Sequence, residues 1–511
     1  MADTKREIER KYEGSATGDD AGLPDLTGVS GVSSVIDKGV AELDATYYDT
    51  PDQRLTADSL TLRRRTGGGD AGWHLKLPVS EGVRDEVRAP LSDTVPAELT
   101  DLVRSRVRDA ELVPLVRLRS ARDIRHLVDA SGALLAEVSL DRVRAERLSG
   151  GEGTTEWTEI EVELADDGDP AFLDKVEEKL RKAGLTRSTS PSKLAKALGE
   201  TEQAEKTDKR EKPATATTPE EPVTAGDHVL AYVRAQRDAI VEMDPAVRRD
   251  VYDSVHQMRV ATRRMRSTLR SYSKVLDRAV TDPIGEELKW LAAELGVGRD
   301  QEVLAERLTA ALTELPPALV AGPIGDRLNT WAHAGGSDSR GLMIAVLDGE
   351  RYLRLLETLD SLLADPPLRK AAGGDPEKVL GKAVTRSFGK LSDLVGQALD
   401  LSPGADRDLA MHEARKKAKR TRYAAEAAAP ALGKPAAGLV KSTKSLQTLL
   451  GDHQDSVMAR ETLRELAGQA HEAGEDTFTY GVLYGREEQR AAEAEAALPE
   501  AWEGVKGKAA V

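Results

Sequence analysis

Two periods divide the chain. From Glu7 to Leu164, apolar residues recur at every second position, the pattern of strands with one buried face. Leu60 and Leu62 alternate with Thr61, Arg63 and Arg65, and Trp73, Leu75 and Leu77 alternate with His74 and Lys76. Arg84, Glu86 and Arg88 share one side of their segment, and Arg117 and Arg119 alternate with Val116 and Leu118. Arg122 and Arg125 follow in a strand that ends near Val128. Glu137 and Asp141 face away from Val138 and Leu140; Glu159, Glu161 and Glu163 face away from Ile160, Val162 and Leu164. Loops are expected over 14–31, at Pro51-Asp52 and at Gly67-Gly68-Gly69, and short helices over 33–43 and 174–183.

From His228 the period becomes helical. Val251, Val255, Met258, Thr262, Met265, Leu269 and Leu276 mark an apolar stripe. Beside it runs a basic line, His256, Arg259, Arg263, Arg266 and Arg270, at spacings of three and four. The line returns as His412, Arg415, Lys416, Lys419 and Arg422. Lys289, Leu291, Leu295, Gly296 and Asp300 return as Lys444, Leu446, Leu450, Gly451 and Asp455. A displacement of about 155 residues predicts an internal duplication, with halves over 225–375 and 376–500, each a bundle of about four helices. Between the two regions, 200–224 is rich in Glu, Lys, Thr and Pro and reads as a flexible tether.

Composition narrows the chemistry. With 511 residues, several domains are expected, and 40% hydrophobic but 4% aromatic residues favour helices packed through small side chains. A net charge of -15 argues against coating DNA or RNA, so a polyanion site must be a local basic concentration. The absence of cysteine excludes disulfides and thiolate metal sites. The first residues lack the apolar core of a signal peptide, and no run is long enough for a membrane span; a cytoplasmic protein is expected.

The charged faces carry the candidate chemistry. Glu7, Glu9 and Lys11 share one side of the first strand, and two carboxylates with an ammonium suit a divalent metal beside a phosphate. About eight strands with one charged face either close into a barrel with a charged lumen or form a sheet whose polar face meets water.

Glu7-Ile8-Glu9-Arg10-Lys11 resembles the Glu-x-Glu-x-Lys signature of the CYTH superfamily, the triphosphate tunnel metalloenzymes. The likeness continues in order through Tyr48-Asp49-Thr50, the Arg63 to Arg65 strand, Lys76, Glu86 with Arg88, Glu137 with Asp141, Glu159 to Glu163, and Ser192-Lys193. It covers 1–199 and implies a closed antiparallel β tunnel that binds triphosphate with Mg²⁺ or Mn²⁺. It implies metal ligation by Glu7, Glu9, Glu137, Asp141, Glu161 and Glu163. Phosphate contacts follow from Arg63, Arg65, Lys76, Arg88, Arg117, Arg119 and Lys193, with Arg122 a further candidate. Lys11, Glu7 and Glu9 would serve catalysis. Ser59 departs from the glycine expected before the arginine-rich strand.

The helical half is similar to the CHAD domain, through His256-x-x-Arg259, His412-x-x-Arg415 and the two Gly-to-Asp stretches. That resemblance implies two similar bundles binding inorganic polyphosphate through His256, Arg259, Arg263, Arg266, Arg270, His412, Arg415, Lys416, Lys419 and Arg422. Few aromatics lie among these cations, so stacking of nucleic-acid bases is not expected. The expected whole is an α+β protein, a tunnel hydrolase of inorganic triphosphate joined to a duplicated all-α polyphosphate binder. The alternatives are a non-enzymatic adaptor that localises to polyphosphate granules, and a cyclase or thiamine-triphosphate hydrolase on the same fold.

Overall fold

Alternation along so many charged strands is resolved by closure. The computed structural model describes residues 3–14, 23–151, 153–206, 222–336 and 339–508. The strands are β1 (Asp3–Gly14), β2 (Ser34–Asp49), β3 (Thr61–Thr66), β4 (Gly72–Ser80), β5 (Val83–Ala89), β6 (Val113–Val128), β7 (Leu134–Arg147) and β8 (Thr154–Leu164). They pair antiparallel in the order β5-β4-β3-β2-β6-β7-β8-β1, and β1 pairs back onto β5. Eight strands thus form a closed barrel, which leaves no free edge. Three residues, β9 (Leu185–Arg187), extend the end of β1.

Outward-facing apolar residues are covered by helices. Leu62, Trp73, Leu75 and Val87 pack with Leu55 of α1 (Arg54–Ala57) and Leu99, Leu102 and Val103 of α2 (Ala97–Val107). Val138, Leu140, Ile160 and Val162 pack with Phe172, Val176 and Leu180 of α3 (Ala171–Lys182). Inward-facing positions are charged along most of the barrel. Toward one end they turn apolar: Ala45, Leu118, Val143 and Ala145 pack against Leu194, Ala197 and Leu198 of α4 (Lys193–Lys206).

Two expectations change. Residues 33–43 are strand, not helix: Ser34 to Asp49 forms a ladder with β6 that outweighs local helix propensity, with an irregularity between Asp37 and Gly39. The expected tether begins inside α4, because Thr201 is buried and bonded to the Ala197 carbonyl. Within that tether, 207–221 lies outside the described residues, as does 15–22 of the expected first loop. Ser59 adopts a left-handed φ of 62°, so the conformation that favours glycine is kept without one.

The chain divides into two compact units, Met1–Ala216 and Thr217–Val511. The second is helical throughout: α5 (Ala225–Arg248), α6 (Ser254–Ser271), α7 (Arg278–Glu294), α8 (Arg299–Thr313), α9 (Ile324–Gly336), α10 (Ser339–Asp348), α11 (Glu350–Ala364), α12 (Pro376–Asp400), α13 (Ala405–Leu432), α14 (Lys434–Glu472) and α15 (Phe478–Lys506). Thr224 starts α5 with a reciprocal capping box to Asp227. The order α12 to α15 repeats α5 to α9 with longer helices. The 39-residue α14 runs unbroken where α7 and α8 are separated around Gly298, whose φ is +83°. The two basic helices, α6 and α13, pack against each other.

Candidate functional site

Register brings the barrel's carboxylates together. On β7 and β8, Asp141 stands opposite Glu159 and Ser139 opposite Glu161; Lys11 of β1 stands opposite Glu161 from the other side. Asp141, Glu159 and Glu161 each offer an oxygen within 4.8 Å of the others, and all three are buried. Three cations answer them. Lys193 Nζ lies 2.9, 2.6 and 2.6 Å from Asp141, Glu159 and Glu161. Arg122 donates to Asp141 at 2.7 Å and to Glu161 at 2.6 Å. Lys11 Nζ lies 2.5 Å from Glu161 and 3.3 Å from Glu9.

A second cluster lies on β3, β4 and β5. Lys76 Nζ is 2.5 Å from Glu7, and Glu86 gathers Arg63 at 3.4 Å, Arg88 at 2.5 Å and His74 at 3.0 Å. Residues of both clusters line one polar cavity of about 250 Å³ with Lys5, Arg65, Glu137 and Glu163, while Asp141, Glu159 and His74 stay behind its wall. Glu163 is bonded to Lys5 at 2.8 Å, and Glu137 lies 3.1 Å from His126.

The protonation pattern follows from these neighbours. Burial raises the Glu9 carboxyl, but Lys11 and then Lys76 outweigh it and hold it down at about 2. Glu7 moves the other way: its burial outweighs Lys76, with Glu86 adding repulsion, and its pKa is raised. Burial, then Arg63 and Arg122, pulls the Arg65 guanidinium down to about 9. Asp70 is bonded to Arg65. Burial likewise drives the His74 imidazole down to about 4 against the pull of Glu86.

Most predicted residues meet here. Glu7, Glu9, Lys11, Arg63, Arg65, Lys76, Arg88, Glu137, Glu161, Glu163 and Lys193 line the cavity, as does Arg122. Asp141 does not line it; fully buried, it holds Arg122 and Lys193. Arg117 and Arg119 are corrections. They stand on the opposite face of β6 from Arg122 and pair with Asp44, because a strand cannot turn both parities inward.

In the helical unit, the two basic lines face one cavity of about 570 Å³. His256, Arg259 and Arg263 enter it from α6, and Arg415, Lys419 and Arg422 from α13; Arg307 of α8 joins them. Burial, then Arg415 and Arg263, lowers the Lys419 ammonium to about 8, so the repeats feel each other's charge. The paired glycines gain a reason. A Cβ on Gly296 would come within 2.6 Å of the Arg259 guanidinium, and one on Gly451 within 3.4 Å of Arg415. Each glycine gives room to the arginine three residues after the histidine of its own repeat. Arg415 also reaches Asp455 at 3.8 Å, whereas the Asp300 side chain lies outside the described residues.

Four predicted residues are elsewhere. Arg266 and Arg270 continue the α6 line toward Glu286. Lys416 is exposed and paired with Glu413. His412 does not line the cavity; its Nδ1 lies 2.6 Å from Gln454 Oε1.

A comparison with protein families matches residues 5–198 to the CYTH domain and residues 231–464 to the CHAD domain. The uncharacterised protein Rv2226 of Mycobacterium tuberculosis is 38% identical over 496 residues, 94% of this chain and 92% of its own. The chain belongs to the proteins that join a CYTH domain to a CHAD domain. Among solved structures, PptA from Streptomyces chartreusis is 22% identical with a TM-score of 0.46, covering 55% of this chain and all of its own. The CHAD domain from the plant Ricinus communis is 24% identical with a TM-score of 0.41, covering 58% of this chain and 96% of its own.

Sequence reasoning missed several participants. In the CYTH unit, Glu86 and Glu159 were named as sharing the charged parity but not as site residues. Lys5 shares the parity of Glu7, and that signal was available. In the CHAD unit, Arg420 and Lys417 lie just off the basic line. Burial, then Arg270, depresses Arg420; burial, then Arg420 and Lys390, lowers Lys417 to about 8. The cationic excess therefore continues past the cavity along α6 and α13.

Proposed function

We propose that the CYTH unit hydrolyses the phosphoanhydride bond of inorganic triphosphate with Mg²⁺ or Mn²⁺, and that the CHAD unit binds inorganic polyphosphate. The observation that supports the first part is that carboxylates and cations meet in one small cavity. Glu9 and Glu161 line it beside Lys11, Arg122 and Lys193, and Glu7 and Glu86 line it beside Arg63, Lys76 and Arg88, with oxygens of Asp141 and Glu159 within 4.8 Å of Glu161. Hard oxygen donors from Asp141, Glu159 and Glu161, with Glu9 nearby, fit Mg²⁺ or Mn²⁺ better than a softer ion. A bound dication would supply charge neutralisation and an acidified water. Arg63, Arg65, Lys76 and Arg88 would hold non-bridging phosphate oxygens, with the guanidiniums giving forked donors. Lys11, held between Glu9 and Glu161, would donate to a phosphate oxygen as charge develops. Among the described lining residues Tyr47 is the only ring, which favours a bare phosphate chain over a nucleotide.

The second part is supported by the cationic run that spans both repeats, from the cavity to Arg420 and Lys417. A flexible polyanion would bind it with release of counterions, on the same logic as a nucleic-acid backbone.

One observation favours an adaptor without catalysis. Lys193 Nζ is bonded to all three carboxylates that would hold a metal. In that reading both units bind polyphosphate and the protein gathers at polyphosphate granules. The test is phosphate release from triphosphate, ATP, thiamine triphosphate and long polyphosphate, each with Mg²⁺, Mn²⁺ or chelator. Metal-dependent release that is fastest from triphosphate is expected. No release from any of the four, with polyphosphate binding intact, selects the adaptor.

A further inference from the structure

A second group of metal-type donors lies in the CHAD unit, away from the basic cavity's lining. His453 of α14 is fully buried, and its Nδ1 makes no hydrogen bond. Its Nε2 lies near two carboxylate oxygens, Asp408 Oδ1 of α13 at 3.2 Å and Glu495 Oε1 of α15 at 3.5 Å. The three donor atoms lie within 4.8 Å of one another.

The opposite oxygens of the two carboxylates are held from outside. Arg460 Nη2 lies 3.4 Å from Asp408 Oδ2, and Arg407 Nη1 lies 3.3 Å from Glu495 Oε2. The guanidiniums therefore turn Oδ1 and Oε1 toward the imidazole. Outer partners that orient carboxylate and histidine ligands in this way recur around protein metal sites. They also offset part of the cost of placing two carboxylates beside a buried ring.

The duplication supplies an internal control. At the displacement that relates the repeats, Asp408 corresponds to Tyr252 and His453 to Gly298, while Arg407 corresponds to Val251. The first repeat reaches the same helix order without these groups, so the shared scaffold does not require them.

We propose that His453, Asp408 and Glu495 form a site for a transition-metal dication of the Zn²⁺ class, joining α13, α14 and α15 in the second repeat. One imidazole and two carboxylates suit Zn²⁺ or Co²⁺, whereas Mg²⁺ prefers oxygen donors alone. Three protein donors also match the count of a zinc site with an open position. The site is separate from the carboxylates of the barrel, which offer no nitrogen, and stands whatever the barrel's activity proves to be.

The experiment uses the full-length chain, stripped of metal and titrated with Co²⁺ and with Zn²⁺ while the visible spectrum of Co²⁺ reports nitrogen ligation. The wild type is expected to show a nitrogen-ligated Co²⁺ that Zn²⁺ displaces and excess Mg²⁺ does not. Glu161→Gln, which alters the barrel, should leave that signal in place. His453→Ala should abolish it, and Arg407→Ala should weaken affinity by about 10- to 100-fold through the outer contact. If His453→Ala fails to fold, Glu495→Gln, at the partly accessible ligand, carries the same expectation. Wild-type protein without a nitrogen-ligated signal, or a signal retained in either ligand variant, overturns the proposal.

Discussion

The barrel cavity and the helical cavity are both rich in arginine and lysine, yet they balance that charge to different degrees. In the barrel, most lining cations already touch a carboxylate, as Lys11, Lys76, Arg122 and Lys193 do at 2.5–2.9 Å. In the helical cavity, Arg307 and Arg422 hold Glu487 and Glu426 at 2.7 and 2.9 Å, but cations also face cations across two repeats, and burial, then Arg415 and Arg263, depresses Lys419. A closed barrel has low-dielectric walls, and buried charge there survives only with a partner nearby. In the helical cavity, counterions in solvent screen the local excess until an anion arrives. The first arrangement fixes the geometry of a small ligand. The second provides a field that a long polyanion can neutralise in many registers.

The largest effect should separate the two directly. Glu161→Gln removes a shared partner of Lys11, Arg122 and Lys193. Metal-dependent triphosphate turnover is expected to fall by about 10²–10³-fold, the scale of a lost transition-state contact, while polyphosphate binding by the full chain stays unchanged. Full turnover in steady-state assays would place the chemistry elsewhere.

Next come the charge reversals in the helical cavity. Arg263→Glu and Lys419→Glu should each weaken long-chain polyphosphate by about tenfold or more and flatten its salt dependence, because each removes a phosphate contact. Titrations at several salt concentrations read both. Equal affinity and slope in both variants would return the basic lines to solvated helix faces.

A parity test sharpens the barrel side. Arg65→Ala should cost about 1.5–3 kcal/mol of triphosphate affinity, the range for a charged hydrogen bond. Arg117→Ala, on the outer face with Asp44, should leave affinity as it is. Calorimetry of the pair breaks the assignment if Arg117→Ala is the weaker binder.

The pH dependence is smaller and has a definite sign. Lys419 titrates near 8 when folded against 10.5 for a free lysine. A bound polyanion favours its protonated form, so polyphosphate affinity should decline as pH rises through about 8. Stability runs the other way: between pH 8 and 10.5 the unfolded chain binds more protons at this site, so its contribution to stability rises with pH. Lys419→Arg should remove the decline attributable to this residue, as read by titrations from pH 7 to 9.

The smallest effect belongs to Ser59. Replacing it with glycine should raise stability by up to about 1 kcal/mol, since only the left-handed penalty is relieved. Chemical denaturation measures it, and a loss of stability would show that the hydroxyl matters more than the backbone.

Much of the site was legible because side chains alternate strictly along strands. Once Glu7, Glu9 and Lys11 are placed inward, the parity of each neighbouring strand can be tried against the same rule, and Arg63, Arg65, Lys76 and Arg88 follow. The rule failed on β6, which carries arginines on both faces. Nothing local distinguishes Arg117 and Arg119 from Arg122; pairing of Arg122 with Asp141 and Glu161 does. The same strand shows that the interior is not uniformly charged, since Leu118 faces α4 where the helix fills one end.

Sequence by itself determined the two periods, the charged parity of the strands and the repeated basic line, because these depend on spacing along one chain. Tertiary structure decided what spacing cannot reach. It turned residues 33–43 into a strand, since a ladder with distant β6 satisfies their backbone better than a short helix. It set Arg259 against Gly296 and Arg415 against Gly451, linking two motifs that sequence could only count. It also brought Asp408, His453 and Glu495 from three helices to one point. Contacts between remote elements depend on packing, and one-dimensional pattern carries no record of which faces will meet.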